Sequence, residues 1–322
     1  MHRARLFTGV LASLWVALFV VACQEQSTSP VDVATPGGLT PAAKSDATEQ
    51  AILAFGDGLN AQLEAQGESM RLGLVEYITS GDSEEMGRTV FFSAVGNKQL
   101  GHHWVPSDPR RNGSNDIWWW NDLVDGATTS GLTSAQTAAA IRAAMTTWDN
   151  VTCSTIPLTD IGDFNVDLGF VQFLQGFGGL DGFLFDITHG GFLPGPFWDT
   201  IAPGGSGFIL GATFTFIWTD GPPTDIDNNG KLDTAFREIY YNDAFPWFTD
   251  GTAFDVETVA LHEVGHGLSQ GHFGKAFRTL KNGKLHFAPR ALMNAAYSGV
   301  QRDVGATDNG GHCSIWAQWP NS

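Results

Sequence analysis

Three histidines and a glutamate fall within HEVGHGLSQGH, His262 to His272, in a chain of 322 residues that has only nine histidines. Asp255 reads as the cap of a helix running through VETVALHEVGHGL, with Glu257 in the first turn, where negative charge suits the helix dipole. On that helix His262 and His266 lie one turn apart on one face, so both imidazoles reach the same ion. Glu263 projects about 100° further around, beside a metal and not onto it. A catalytic zinc takes three protein ligands and leaves a position to water, which makes His272 the third ligand. A straight helix would carry His272 past the ion. The chain must therefore turn back, and Gly267 and Gly271 supply the freedom. The bland alternative, a helix with histidines on its wet face, would set two imidazoles against Val259, Leu261, Val264 and Leu268. The chemistry indicated is hydrolysis by an activated water, with Zn²⁺ on His262, His266 and His272 and Glu263 as general base.

Beyond the spacing, HEVGHGLSQGH resembles the extended zinc motif of the metzincin peptidases. ALMNAAY, Ala291 to Tyr297, is similar to their Met-turn, with Met293 as the apolar floor beneath the metal. MTTWDNVT, EIYYN, DVETVALHE and Asp308 fit the matrixin type over roughly Gly101 to Pro320. The resemblance implies an α+β, metzincin-like zincin fold. Its parts are a mixed twisted sheet, two main helices, an active-site helix and a short C-terminal subdomain after the Met-turn. It also implies a monomeric zinc endopeptidase that takes a protein or peptide substrate extended along the edge strand, with Tyr297 in the wall of the pocket for the residue after the cut.

Three departures from that pattern carry expectations of their own. Ser269 stands where the family has glycine, so either it accepts a left-handed conformation at roughly 1–2 kcal/mol or Gly271 turns the chain one step later. The stretch GKAFRTLKNGKLHFAPR between His272 and Met293 reads as an extra loop or hairpin beside the cleft. His189 alone matches a position of the second, structural zinc of animal matrixins; it is read as a loop-fixing residue, and no second zinc is expected. No cysteine-bearing inhibitory segment precedes the catalytic region.

The elements that must position these residues are partly legible. Ile52, Phe55, Leu59 and Leu63 predict a helix ending near Gly67, and Ala138, Ile141, Met145 and Trp148 predict another from Leu132 to Val151, capped by Thr133 or Ser134. RTVFFSAV, DIWWWND and REIYYN read as strands, with Trp118 to Trp120 as core and surface of one of them. FILGATFTFIWT reads as a half-buried strand, Phe214, Phe216 and Trp218 alternating against Thr213, Thr215 and Thr219. Long shaped loops are expected between Gly176 and Gly211. His102 and His103 would point to opposite faces of a strand in structural roles. Mixed order of strands and helices favours α+β.

DIDNNGKLD offers oxygens at Asp225, Asp227, Asn229 and Asp233 and the carbonyl of Lys231, the front of an EF-hand-type Ca²⁺ loop. The twelfth place is Phe236, where a bidentate glutamate belongs. A calcium site and an Asx-rich turn without an ion both remain open.

A net charge of −17 with no Lys/Arg cluster excludes nucleic acid as a partner. His2, Arg3 and Arg5 followed by an apolar run from Leu6 to Ala22 read as an export signal, and the residues up to Cys23 resemble a bacterial lipobox. The expected organisation is a lipoprotein signal peptide (1–22), a tether (23–48), an N-terminal segment (49–95) that is an inhibitory prosegment or part of the fold, and the catalytic domain (96–322). Membrane contact would run through lipid on Cys23 alone, placing the protein in the bacterial envelope facing outside the cytoplasm, or secreted. Cys153 and Cys313 then form an even pair in an oxidising compartment, a disulfide or two buried thiols. A function of another class is a surface lipoprotein that keeps a zinc-bearing scaffold for adhesion without hydrolysis. Glu263 argues against it, because a structural site would take a fourth protein ligand.

Overall fold

Residues 39–41, 46–92 and 101–321 are described by a computed structural model. The run Leu6 to Ala22, Cys23 and most of the stretch read as a tether lie outside them. In chain order the elements are β1 (Leu39–Pro41), α1 (Asp46–Gln66), β2 (Met70–Thr79), β3 (Arg88–Phe91), β4 (His102–His103), β5 (Ile117–Asn121), α2 (Ser134–Asp149), β6 (Leu158–Asp160), α3 (Phe170–Leu174), β7 (Ile187–Leu193), α4 (Gly195–Ile201), β8 (Ile209–Trp218), β9 (Leu232–Asn242), β10 (Trp247–Phe248), β11 (Phe254–Asp255), α5 (Val256–Gly267), β12 (Lys275–Thr279), β13 (Leu285–Ala288) and α6 (Ala306–Trp316).

The architecture is α+β around one mixed sheet of order β3-β2-β8-β9-β7-β5-β6, with β4 against β9. β5, β6, β7 and β9 run parallel, whereas β8 is antiparallel to β9, β2 to β8 and β3 to β2. Six helices of the described residues accompany the sheet, where two main helices and an active-site helix were expected. None of them is long and apolar enough to cross a membrane. Ordered structure also starts inside the stretch read as a tether, because β1 pairs with β12 and α1 begins at Asp46, six residues ahead of Ile52.

Two cores occupy the two faces of the sheet. Along β9, Ile239 and Tyr241 join the cluster of α2 and α5, while Phe236 and Tyr240 join that of α1 and α4, as strand alternation requires. α2 starts in a capping box of Thr133 and Gln136 and buries Ala138, Ile141, Met145 and Trp148 as its periodicity predicts. The Trp148 indole donates to the Leu261 carbonyl at 2.8 Å, fixing α2 against α5. Truncating so buried an indole to alanine costs about 3–5 kcal/mol.

β8 is not half-buried. Thr213 and Thr215 have no exposed surface, because α5 covers the face they were expected to turn to water. His189 is not a loop residue either: it lies within β7, fully buried, with Nδ1 2.8 Å from the Tyr241 hydroxyl. His102 of β4 is buried and His103 half-buried; in β5, Trp118 is 37% exposed beside buried Trp119 and Trp120. Cys153 and Cys313 form a disulfide with Cα atoms 5.6 Å apart, tying the end of α2 to α6 across a sequence separation of 160. Closing a loop of that length contributes about 5 kcal/mol in the chain-entropy model.

Candidate metal centre

Local chemistry sets both ends of α5. Asp255 accepts from the Thr258 amide at 2.9 Å and hydroxyl at 2.7 Å, and Arg302 bridges Asp255 and Glu257. At the other end the Gln270 amide donates to Gly265 O and the Ser269 amide to His266 O, a Schellman closure whose left-handed residue is Ser269, at φ 65°, and not Gly271. The Ser269 hydroxyl accepts from Arg237 at 2.8 Å. The chain then returns, the Phe273 amide bonding to Met293 O at 3.1 Å, and this brings His272 back over the helix.

The three imidazoles converge. Nε2 of His262, His266 and His272 are each 3.1 Å from the other two. His262 Nδ1 lies 2.7 Å from Leu292 O and His266 Nδ1 2.6 Å from Gln270 O. A carbonyl only accepts, so both Nδ1 atoms carry the proton and both Nε2 atoms present lone pairs. Facing lone pairs at 3.1 Å repel unless positive charge sits among them. Burial, followed by the neighbouring His266, pushes His262 well below the ordinary histidine range, whereas at His266 the lowering by burial is outweighed by Glu76 and Glu263, which raise it. A tetrahedral ion with metal–nitrogen bonds of about 2.0–2.1 Å separates its ligand nitrogens by about 3.3 Å. The group fits a metal ion by spacing and by tautomer, and these histidines are the ones that could hold it.

Glu263 follows His262 on the helix and its side chain has no exposed surface. Thr213 donates to Oε2 at 2.7 Å, and Oε1 has no hydrogen-bond partner among the described residues. Burial raises the carboxyl to about 7 against the opposing effects of His266 and Thr213. Gly211 of β8 lies so near that a Cβ there would come within 3.3 Å of Oε1.

Met293 lies beneath the ligands. A Cβ on Gly265, between the two helical histidines, would meet its Sδ at 2.3 Å, so glycine there allows the approach. Asp308 holds this turn by accepting from the Leu292 and Met293 amides, both at 3.0 Å. Tyr297 is nearly buried; its hydroxyl donates to Ala253 O and its amide to Thr79 O at 2.8 Å.

Sequence reasoning missed Glu76, Thr213 and Arg237. Glu76, on β2, places Oε2 3.2 Å from His266 Nδ1 and accepts the Thr89 hydroxyl at 2.9 Å. Arg237, on β9, donates to His266 O at the C-terminal end of α5; burial lowers its pKa to about 10, with Glu76 opposing. The signal for both was a charge set inside an apolar strand, LVEYI and AFREIYY. Charges in such places need a partner.

Asp225, Asp227 and Asp233 bring carboxylate oxygens within 4.8 Å of one another. The same loop bonds itself as an Asx turn: Asn229 N and Gly230 N donate to Asp225, and Asn229 Oδ1 accepts from Lys231 N at 2.7 Å. Asp233 is engaged by Arg110 at 2.9 Å and by the Thr224 hydroxyl at 2.6 Å. Phe236 is fully buried and stacked on Phe216 with ring centres 4.3 Å apart, so the twelfth place belongs to the core. The stretch between His272 and Met293 forms the hairpin β12–β13. No known protein-family model matches this chain, and none of the curated proteins matches it.

Proposed function

We propose that the chain is a zinc-dependent endopeptidase of metzincin type, closest to the matrixins, exported to the bacterial envelope and anchored by lipid on Cys23. The observation that carries this reading is the convergence of three Nε2 atoms at 3.1 Å beside a glutamate with one oxygen unpaired among the described residues. The Met293 floor, the Asp308 brace and the order β8-β9-β7-β5-β6 beside α2 and α5 support it.

His262, His266 and His272 would hold zinc, which when bound would supply Lewis-acid chemistry that polarises a carbonyl and makes water acidic enough to react near neutral pH. Leu292 O and Gln270 O hold two of the rings in the tautomer that directs Nε2 inward. Thr213 occupies Oε2 of Glu263, which leaves Oε1 to take a proton from the attacking water and deliver it to the departing amine. With its pKa near 7, Glu263 suits both transfers.

One observation favours a non-hydrolytic scaffold: Glu263, His262 and His266 have no exposed surface. The test compares the zinc-loaded chain with Glu263→Ala on a denatured protein substrate. Zinc retained in both, with cleavage lost only in the variant, supports the enzyme. Equal cleavage by both removes Glu263 from the chemistry, and cleavage by neither, with the site open, leaves the binding scaffold.

A further inference from the structure

A peptide bond can be cut here only if it reaches Glu263, and what covers this residue is specific. The edge of β8 is paired from Ile209 to Trp218 by β2. The two faces of β2 divide cleanly: Val75 and Tyr77 enter the core of α1, whereas Ile78 enters that of α5 and Glu76 meets His266. Ile78 packs in the same core as Val259 and Val264 of α5. One residue on, Thr79 bridges Ala296 in parallel and accepts from the Tyr297 amide at 2.8 Å. The end of β2 is therefore bonded to β8 on one side and to Ala296 and Tyr297, just past Met293, on the other.

The fit is close. A Cβ on Gly81 would lie 2.2 Å from Tyr297 O, and one on Gly87 would lie 2.2 Å from Tyr77 O and 2.4 Å from Ala295 O. From outside, the β12–β13 hairpin grips the turn between β2 and β3, Arg278 donating to Gly81 O at 3.2 Å and to Ser83 O. β8 and β9 cannot yield, being buried nearly throughout. The first half of β2 is tied to α1 by two hydrogen bonds between Asn60 and Leu72, at 3.1 and 2.7 Å. The end of β2 is buried as deeply, and the part of this segment open to attack is its turn, where Asp82 and Glu84 are exposed.

We infer that Glu76 to Gly87 is an internal blocking segment that takes the place an extended polypeptide needs beside β8, latched by Arg278 of the β12–β13 hairpin. The inference builds on the peptidase reading and names its regulation. Displacing or cutting the Asp82–Glu84 turn opens the site. The substrate class that follows is an unfolded or extended chain able to replace the backbone pairing of β2.

The test reads access apart from catalysis. The full chain is loaded with cobalt in place of zinc, and a peptide hydroxamate is added while the visible absorption of the metal is followed. Wild type should respond slowly. Arg278→Ala, and a chain cut at a protease site inserted at Asp82–Glu84, should respond at least tenfold faster, with peptide cleavage rising in step. Hydrogen exchange gives a second readout: amides of Tyr77 to Ser80 should exchange faster in Arg278→Ala. A wild-type response as fast as that of both opened forms, or exchange unchanged by Arg278→Ala, overturns the blocking segment. If the opened forms admit hydroxamate yet cut no peptide, the block stands and the peptidase reading fails.

Discussion

Ser269 tests whether the turn that delivers His272 is understood. It holds φ at 65° and is only 8% exposed, while its hydroxyl accepts from Arg237, itself 1% exposed with Nε lacking an acceptor among the described residues. Ser269→Ala keeps the left-handed strain and removes an acceptor from a buried cation, a loss of about 1.5–3 kcal/mol. Ser269→Gly removes the same acceptor but relieves roughly 1–2 kcal/mol of strain. The greater freedom of glycine in the unfolded chain takes back about 0.4–1 kcal/mol of that. Both variants should fall below wild type, with glycine above alanine by about 1 kcal/mol. Guanidinium unfolding of the metal-free, oxidised protein near neutral pH reads this directly, provided the three transitions share one slope. A glycine variant no more stable than the alanine variant would refute the assignment of strain to this residue.

Two other perturbations reach the centre and the core. Gly265→Ala drives a Cβ to 2.3 Å from Met293 Sδ; overpacking of about 1–3 kcal/mol, offset by roughly 1 kcal/mol of helix propensity, leaves a small net loss. Zinc affinity, read by competition with a chelator, should fall at least tenfold as the Met293 floor shifts, and an unchanged affinity would sink the argument. His102, His189 and His312 have their pKa values lowered to about 3, 3 and 4, chiefly by burial. Their folded values lie below the unfolded one, so this stability is present above about pH 6.5 and lost as the unfolded chain takes protons below it. The loss is about 2 kcal/mol per group at about pH 5. Burial raises Asp122 and Glu263 to about 7, and these act in the opposite sense over the same window, so the readout is a difference. The stability of the metal-free wild type relative to His312→Phe should fall by about 2 kcal/mol between neutral pH and about pH 5, and a difference constant over that range would count against it.

How much of this was legible follows from how local each signal is. The histidine helix α5, its Asp255 cap, the capping box at Thr133 and the turn at Met293 are written within a few residues, so their spacing determines their geometry. The burial of Thr213 was not legible, because it depends on α5 lying over β8, and threonine reads as a surface residue when that packing is unknown. β2 escaped notice for a related reason. MRLGLVEYIT lacks clean alternation, and what identifies it is pairing with a strand far along the chain. Ser269 was readable as a problem but not in its solution, since the Arg237 that accommodates it comes from β9.

The pairing of Met70 with Trp218 and of Thr79 with Ile209 sets an order of assembly. A chain delivered from its N-terminus presents the apolar side of α1 and β2 long before β8 exists to receive it, and such non-local pairing is slow. The sheet therefore gains its outer strands only after its later ones have formed, and Cys313 reaches Cys153 later still. Until then the apolar side of α1 and β2 has no strand to cover it and is prone to association with other chains.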